Sequence, residues 1–257
     1  MRFTKKIKLL ALLFCLLNVA NLFAVTTVPV KVKCPVCGVV NDFYDYASWG
    51  SYVYQWPSKF QMVFWPHTYP TSLYICKHCH FAAWMWDFKD LKPEKIDAVR
   101  AALSGVGSVP TTEKYLEVPM SIRLSIAERV YQKLDKDDEF WSIFYRVQGY
   151  HLAREHKAEE AQRARVNAQQ FLAKLSADVK LKAARKEHLV GLAAMQHFTG
   201  DDQAALASLD QAAKETYSQG KNASGYNEYL SALIKDYREK IISKSVPDDA
   251  GGKGEQD

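Results

Sequence analysis

The chain has 257 residues, 34 Lys+Arg against 29 Asp+Glu, a net charge of +5, and 48% hydrophobic and 12% aromatic residues. Such apolar content excludes a disordered chain and suffices for one or two cored domains. Four of the cations, Arg2, Lys5, Lys6 and Lys8, precede the first apolar run; without them 30 stand against 29, a balance that argues against a nucleic-acid binder.

The apolar run from Leu9 to Ala24 is interrupted by Asn18 and Asn21 and ends in Leu22-Phe-Ala24. A charged start, a short apolar core and a small last residue make residues 1–24 a signal peptide, cleaved after Ala24. The run is short for a bilayer span of about 20 apolar residues. Phe14 before Cys15 does not suit a lipoprotein cleavage site, and no Arg-Arg pair precedes the run. The mature chain is expected to be exported, periplasmic or extracellular, with membrane contact only through the transient leader.

Residues 25–33 are β-branched and partly alternating and predict a strand. Between Phe43 and Phe88 lie five of the six Trp, with Tyr44, Tyr46, Tyr52, Tyr54, Phe60, Phe64, Tyr69, Tyr74 and Phe81. Pro57, Pro66 and Pro70 forbid a long helix there. Tyr52-Val-Tyr54 and Ser72-Leu-Tyr-Ile75 suit short strands. Large rings plus a metal are one way for a small module to make a core; exposed rings could instead bind sugars or peptides.

After Leu91 the pattern turns helical. Pro93 opens a helix carrying Ile96, Val99, Ala102 and Leu103, ended by Gly105, Gly107 and Pro110. A short element surrounds Tyr115. Ser121 is expected to cap the next helix, with Ile122, Ile126, Val130 and Leu134. Residues 137–175 read as two helices meeting near His156-Lys-Ala158, and residues 176–198 as another, stopped by Gly200. Asp201 caps a helix expected to reach Gly220, and a last helix spans about 224–243. Residues 246–257 are polar and Gly-rich and predict a disordered tail.

The stretch 189–212 looks like a tetratricopeptide unit, with Leu192-Ala193, the turn at Gly200, and Ala205, Leu209 and Ala212. Residues 145–168 echo it with Tyr145, Gly149, Ala161 and Ala168. The offset is 44 residues, 156 to 200, against about 34 for that repeat, and Arg165 stands where the better copy has Leu209. An ordinary antiparallel bundle with Ala-rich core faces is the alternative.

The mature chain keeps four cysteines, in Cys34-Pro-Val-Cys37-Gly38 and Cys76-Lys-His-Cys79-His80, with 38 residues between the pairs. Two such knuckles supply four soft ligands for a tetrahedral ion, and Gly38 suits the tight turn. Cys34, Cys37, Cys76 and Cys79 are therefore the predicted metal ligands, with Zn2+ as the ion. Four thiolates leave no open position, so the role is structural. Iron in a rubredoxin-like site, implying electron transfer, and two disulfides are the alternatives. His78 and His80 flank Cys79 and could replace a ligand. His67, Asp42, Asp45 and Asp87 are the residues on which a hydrolase or glycan-binding reading would rest. G-x-S-x-G, H-E-x-x-H and phosphate-loop patterns are absent, and no catalytic residue is assigned.

Cys34-Pro-Val-Cys37-Gly38, Tyr74-Ile-Cys76-Lys-His-Cys79-His-Phe81-Ala82 and Asp87-Phe88 resemble the bacterial domain of unknown function 2225 family. Lys77 and His80 depart from its usual Pro and Gly. The resemblance implies a split zinc ribbon followed by tetratricopeptide-like helices, with the four cysteines as ligands and nothing catalytic. The expected fold is thus α+β: an aromatic-rich, zinc-ribbon-like β module at 25–91, then an all-α tetratricopeptide-like domain at 92–245. The expected function is an exported metal-stabilised scaffold binding an unknown protein or peptide through its helices.

Overall fold

A computed structural model describes residues 25–48, 59–110 and 112–244. The expected leader, the Tyr52-Val-Tyr54 strand, Trp49, Trp56 and the expected tail lie outside the described residues. The architecture is mixed α and β: two small antiparallel hairpins and, among the described residues, eight helices. No described helix is long and apolar enough to cross a membrane.

The first hairpin pairs β1 (Thr26–Lys33) with β2 (Val40–Ser48), in a register that sets Lys33 opposite Val40. β1 is largely exposed, while β2 turns Asn41 and Phe43 inward at period two. The second hairpin pairs β3 (Leu73–Ile75) with β4 (Ala82–Trp84), and all six residues are buried. Two-stranded hairpins are marginal alone. Here Phe43 stacks on Tyr74 at 4.0 Å, and Phe88 and Tyr115 meet Phe43 edge-on at 5.2 and 4.9 Å.

The chain continues through α1 (Met85–Lys89), α2 (Ile96–Leu103), α3 (Met120–Tyr131) and α4 (Asp138–Arg154). Then come α5 (Ala158–Ala177), α6 (Arg185–Phe198), α7 (Asp202–Ala212) and α8 (Ala223–Ser243). One continuous apolar cluster extends from Cys34 to Ile241. The rings therefore pack on the helices as well as on each other, Trp84 against Phe144 and Phe60 against Tyr237.

Two buried polar side chains join hairpin to helix. The Tyr131 hydroxyl accepts the Trp84 N–H at 2.9 Å and donates to Asp87 at 2.7 Å. Arg123, 1% exposed, donates to the carbonyls of Val118, Pro70 and Leu73 at 3.0, 2.7 and 2.8 Å. Both satisfy main-chain groups that would otherwise be buried without partners.

The 44-residue offset reappears in the helix turns. His156, at φ +59°, and Gly200, at φ +90°, hold the same place. The bond from Lys157 N–H to the Leu152 carbonyl, 2.9 Å, matches that from Asp201 N–H to Gln196, 2.8 Å. Ala161, Ala168, Ala205 and Ala212 are all fully buried. Arg165 replaces a core leucine for a visible reason: its guanidinium covers the Phe198 ring at 4.5 Å and reaches the Gln61 side chain.

Three expectations need correction. Ser121 does not cap α3, because Pro119 holds the cap position and the Glu155 carboxylate receives the Ser121 N–H at 3.2 Å. The helix expected from residue 176 begins only at Arg185. Asp178 turns the chain by accepting the Lys180 N–H at 2.8 Å, and a 3-10 stretch follows over Val179–Ala184. α7 stops at Ala212 instead of near Gly220, as Ser218 N–H pairs with Ala183 and Tyr217 N–H with the Asn227 side chain. Asp201 does cap α7 as expected, and Asp137 caps α4 by accepting the Phe140 N–H.

Gly191 lies where α6 crosses α5; a Cβ there would sit 3.1 Å from Leu172. Gly191→Val is expected to cost about 1–3 kcal/mol through overpacking, read as a Tm about 2–4 °C lower per kcal/mol. His151, 5% exposed, is held down to about 4 by burial, with Arg123 and Arg154 adding repulsion. Its folded value lies below the ordinary 6.5, so the unfolded chain takes the proton first. Stability present above pH 6.5 is lost towards pH 4, at up to about 1.4 kcal/mol per pH unit. Urea titrations between pH 7 and 5.5 should show a shallower loss for His151→Gln.

Candidate metal centre

Each cysteine pair forms the tip of one hairpin. In the first, Cys34 N–H donates to Val39 at 2.8 Å and Gly38 N–H to Cys34 at 2.9 Å. In the second, Cys76 N–H donates to Phe81 at 2.9 Å and His80 N–H to Cys76 at 3.0 Å. Gly38 at φ +79° and His80 at φ +59° hold equivalent left-handed positions. Glycine does so without penalty, whereas a side chain at this conformation costs about 1 kcal/mol. His80 therefore takes the knuckle's turning position, and it lies outside the sulfur cluster.

The two tips face one another. Cys34 and Cys79 sulfurs are 3.6 Å apart, as are those of Cys37 and Cys76, and all four lie within 4.8 Å of one another. A tetrahedron with arms of about 2.3 Å has edges of about 3.8 Å. The spacing and the all-thiol donor set thus fit a four-coordinate ion. All four are free thiols, and 3.6 Å is far beyond a disulfide bond of about 2.05 Å. Cys34 and Cys76 are 1% and 0% exposed, and Cys37 and Cys79 are partly exposed.

The thiols also crowd one another's charge. Cys76 is held far below the usual thiol range by hydrogen bonds from Cys34 and Cys79, helped by the backbone N–H groups of Cys79 and His78. Cys34 is pushed up to about 12, chiefly by Cys76, and Cys79 higher still, by Cys34 and Cys76. One thiolate is thus stabilised at its neighbours' expense. A divalent cation at the centre is what lets several be ionised together.

Asn41 latches the two tips and is not among the residues singled out from sequence. It is 2% exposed; its amide donates to Val39 at 3.0 Å and contacts the Cys76 sulfur at 3.6 Å. Its carbonyl oxygen receives the Lys77 N–H at 2.9 Å. The available signal was a polar residue two positions before Phe43, on the inward face of a strand.

The other candidates are dispersed. His78 is exposed. His67 lies edge-on to Trp84 and Trp86 at 4.6 and 5.3 Å, and burial holds its ring down to about 4. Asp42 pairs with Lys31, Asp45 with Lys89, and Asp87 with Lys136 and the Tyr131 hydroxyl. Among the described residues, the four cysteines are the one group placed to hold a metal.

No protein-family model, curated protein or solved structure matches this chain.

Asn41→Ala keeps all four thiols and removes the latch. Chelator competition should show metal affinity lowered by about 10–100-fold with unchanged stoichiometry; unchanged affinity would show that the amide does not support the site.

Proposed function

We propose that the protein is an exported scaffold stapled by a structural Zn2+ and binding a protein or peptide partner through its helices. The observation that carries the metal reading is the near-tetrahedral spacing of four sulfurs on two hairpin tips. Protein donors would fill the whole shell, so the ion's contribution is to hold the hairpins together. The paired helices with equivalent turns at His156 and Gly200 support a tetratricopeptide-like arrangement, whose repeats commonly present a binding face. Membership of the domain of unknown function 2225 family is part of this reading, and it rests on the motifs Cys34-Pro-Val-Cys37-Gly38, Cys76-Lys-His-Cys79 and Asp87-Phe88. We assign no reaction and no nucleic-acid partner.

The same sulfur set suits iron, and the rings beside the knuckles favour a rubredoxin-like electron carrier as the second reading. A glycan-binding reading has the exposed rings of Tyr44, Tyr69 and Trp86 in its favour.

Purified mature protein is expected to be colourless, to contain one zinc per chain, and to expose four reactive thiols only after chelation. A red protein with a reversible redox wave would replace zinc by iron, and two disulfides without metal would end both readings.

A further inference from the structure

The four cysteines are not equivalent. Cys34 and Cys76 are 1% and 0% exposed, whereas Cys37 and Cys79 are partly exposed. The two 3.6 Å sulfur contacts run between the knuckles, Cys34 to Cys79 and Cys37 to Cys76. Each contact therefore joins a sealed residue to one that solvent reaches. The main chain that presents them is fixed without their side chains, the Cys34 N–H bonded to Val39 and the Cys76 N–H to Phe81. Asn41 holds the tips together through the Val39 carbonyl and the Lys77 N–H, and Phe43 stacks on Tyr74 between the two hairpins. None of these contacts passes through an ion.

A reachable thiolate beside a sheltered second one is the arrangement that turns oxidation into a disulfide. A hydroperoxide meets the reachable sulfur first. The Cys79 sulfur takes one peroxide oxygen and becomes a sulfenic acid, as the O–O bond breaks and hydroxide leaves. The Cys34 sulfur then attacks the Cys79 sulfur, forming the S–S bond and expelling a second hydroxide. Two electrons pass from two thiolates to one peroxide. Cys37 and Cys76 repeat the sequence. Four thiolates and two peroxides thus give two disulfides and four hydroxides, and a central cation loses all its donors. Each pair has to close from 3.6 Å to about 2.05 Å, a side-chain movement that need break none of the main-chain bonds above. A bridge inside a knuckle would leave the hairpins unjoined, whereas a bridge across them keeps the tips apposed.

We infer that the cysteine centre is a paired oxidation site for hydroperoxides. Cys37 and Cys79 are the entry sulfurs, Cys34 and Cys76 resolve the sulfenic acids, and two bridges between the knuckles take the place of the ion. This deepens the metal reading and rests on it for the ion that leaves. The pairing rests on the sulfur contacts alone. The oxidised chain keeps its hairpins joined, so it gives up zinc without losing its staple.

The test takes the purified mature chain, loaded with zinc, freed of reductant and titrated with hydrogen peroxide. A zinc-responsive dye and a thiol count are read together. Two peroxides per chain should release one zinc and consume all four thiols, with the far-ultraviolet circular dichroism unchanged. Dithiothreitol and zinc should then restore the loaded chain. Trypsin cuts after Lys33, Lys59, Lys77 and Lys89, so Cys34 and Cys37 share one peptide while Cys76 and Cys79 fall on two others. Bridges across the knuckles link all three peptides, and bridges within them leave the first peptide alone. Fragmentation of the linked species should pair Cys34 with Cys79 and Cys37 with Cys76. Dimedone present during oxidation should mark Cys79 ahead of Cys76. Zinc and thiols that survive a roughly tenfold excess of peroxide overturn the inference. Bridges within the knuckles, first marking of Cys76, or sulfinic acids in place of bridges overturn it equally. A zinc-loaded chain that resists peroxide leaves the metal reading standing. A reduced chain that takes up no zinc yet forms both bridges between the knuckles removes the metal reading alone.

Discussion

The convergence of four sulfurs on one point is the constraint from which the rest of the molecule follows. The two hairpins differ in what holds them: the second is buried on both strands, whereas the first has little burial of its own. β1 is mostly exposed, and β3 and β4 are three residues each. Bringing the tips within 4.8 Å places Phe43 against Tyr74, and the ring cluster with Phe88 and Tyr115 then closes over them. The ordering matters energetically. An ion that needs all four thiolates binds only the assembled pair of hairpins, so its binding energy becomes folding energy.

Fixing both ends of the insert creates a second demand. An irregular chain drawn into a helical core carries carbonyls that water no longer reaches, and each needs a donor. The helices supply them from positions that look wrong for a core. Arg123, Arg146, His151 and Tyr131 are all buried, and each bonds a main-chain group outside its own helix. Burial depresses Arg123 to about 10, and lowers Arg146 from its ordinary value as well, the cost of keeping cations where carbonyls need them. These residues are intelligible only from the segment they hold. An alanine in their place would leave buried main-chain groups without partners, carbonyls for Arg123, Arg146 and His151 and the Trp84 N–H for Tyr131, a larger loss than the packing alone.

That division also explains what could be read from the amino-acid order. Cys34, Cys37, Cys76 and Cys79 were legible because a knuckle is a local turn whose spacing is its geometry. The turns at His156 and Gly200 and the cap at Asp201 were legible for the same reason: their hydrogen bonds close within six residues. Asn41 was not, since its partners Val39, Cys76 and Lys77 span both hairpins. The early end of α7 was not, because Ser218 and Tyr217 are claimed by Ala183 and Asn227, distant in sequence. The late start of α6 was signalled by Asp178, whose local turn outweighs the apolar periodicity around it. Arg165 looked like a flaw in the repeat and is a contact to Gln61, which no repeat pattern could anticipate.

The two demands meet in residues 59–67. Their chain path is set at one end by the sulfur cluster, through β3 and the second knuckle, and their depth by donors on α4 and α8. Loss of the ion would lengthen the loop that the helices must hold closed. Because closure entropy grows only slowly with length, the donors would still favour docking, but against a more mobile partner. The helical surface that meets residues 59–67 is thus answerable to the sulfur cluster without touching it. The link is the main chain: the sulfurs set where that chain runs, and Arg146, His151 and Tyr237 set how firmly it stays.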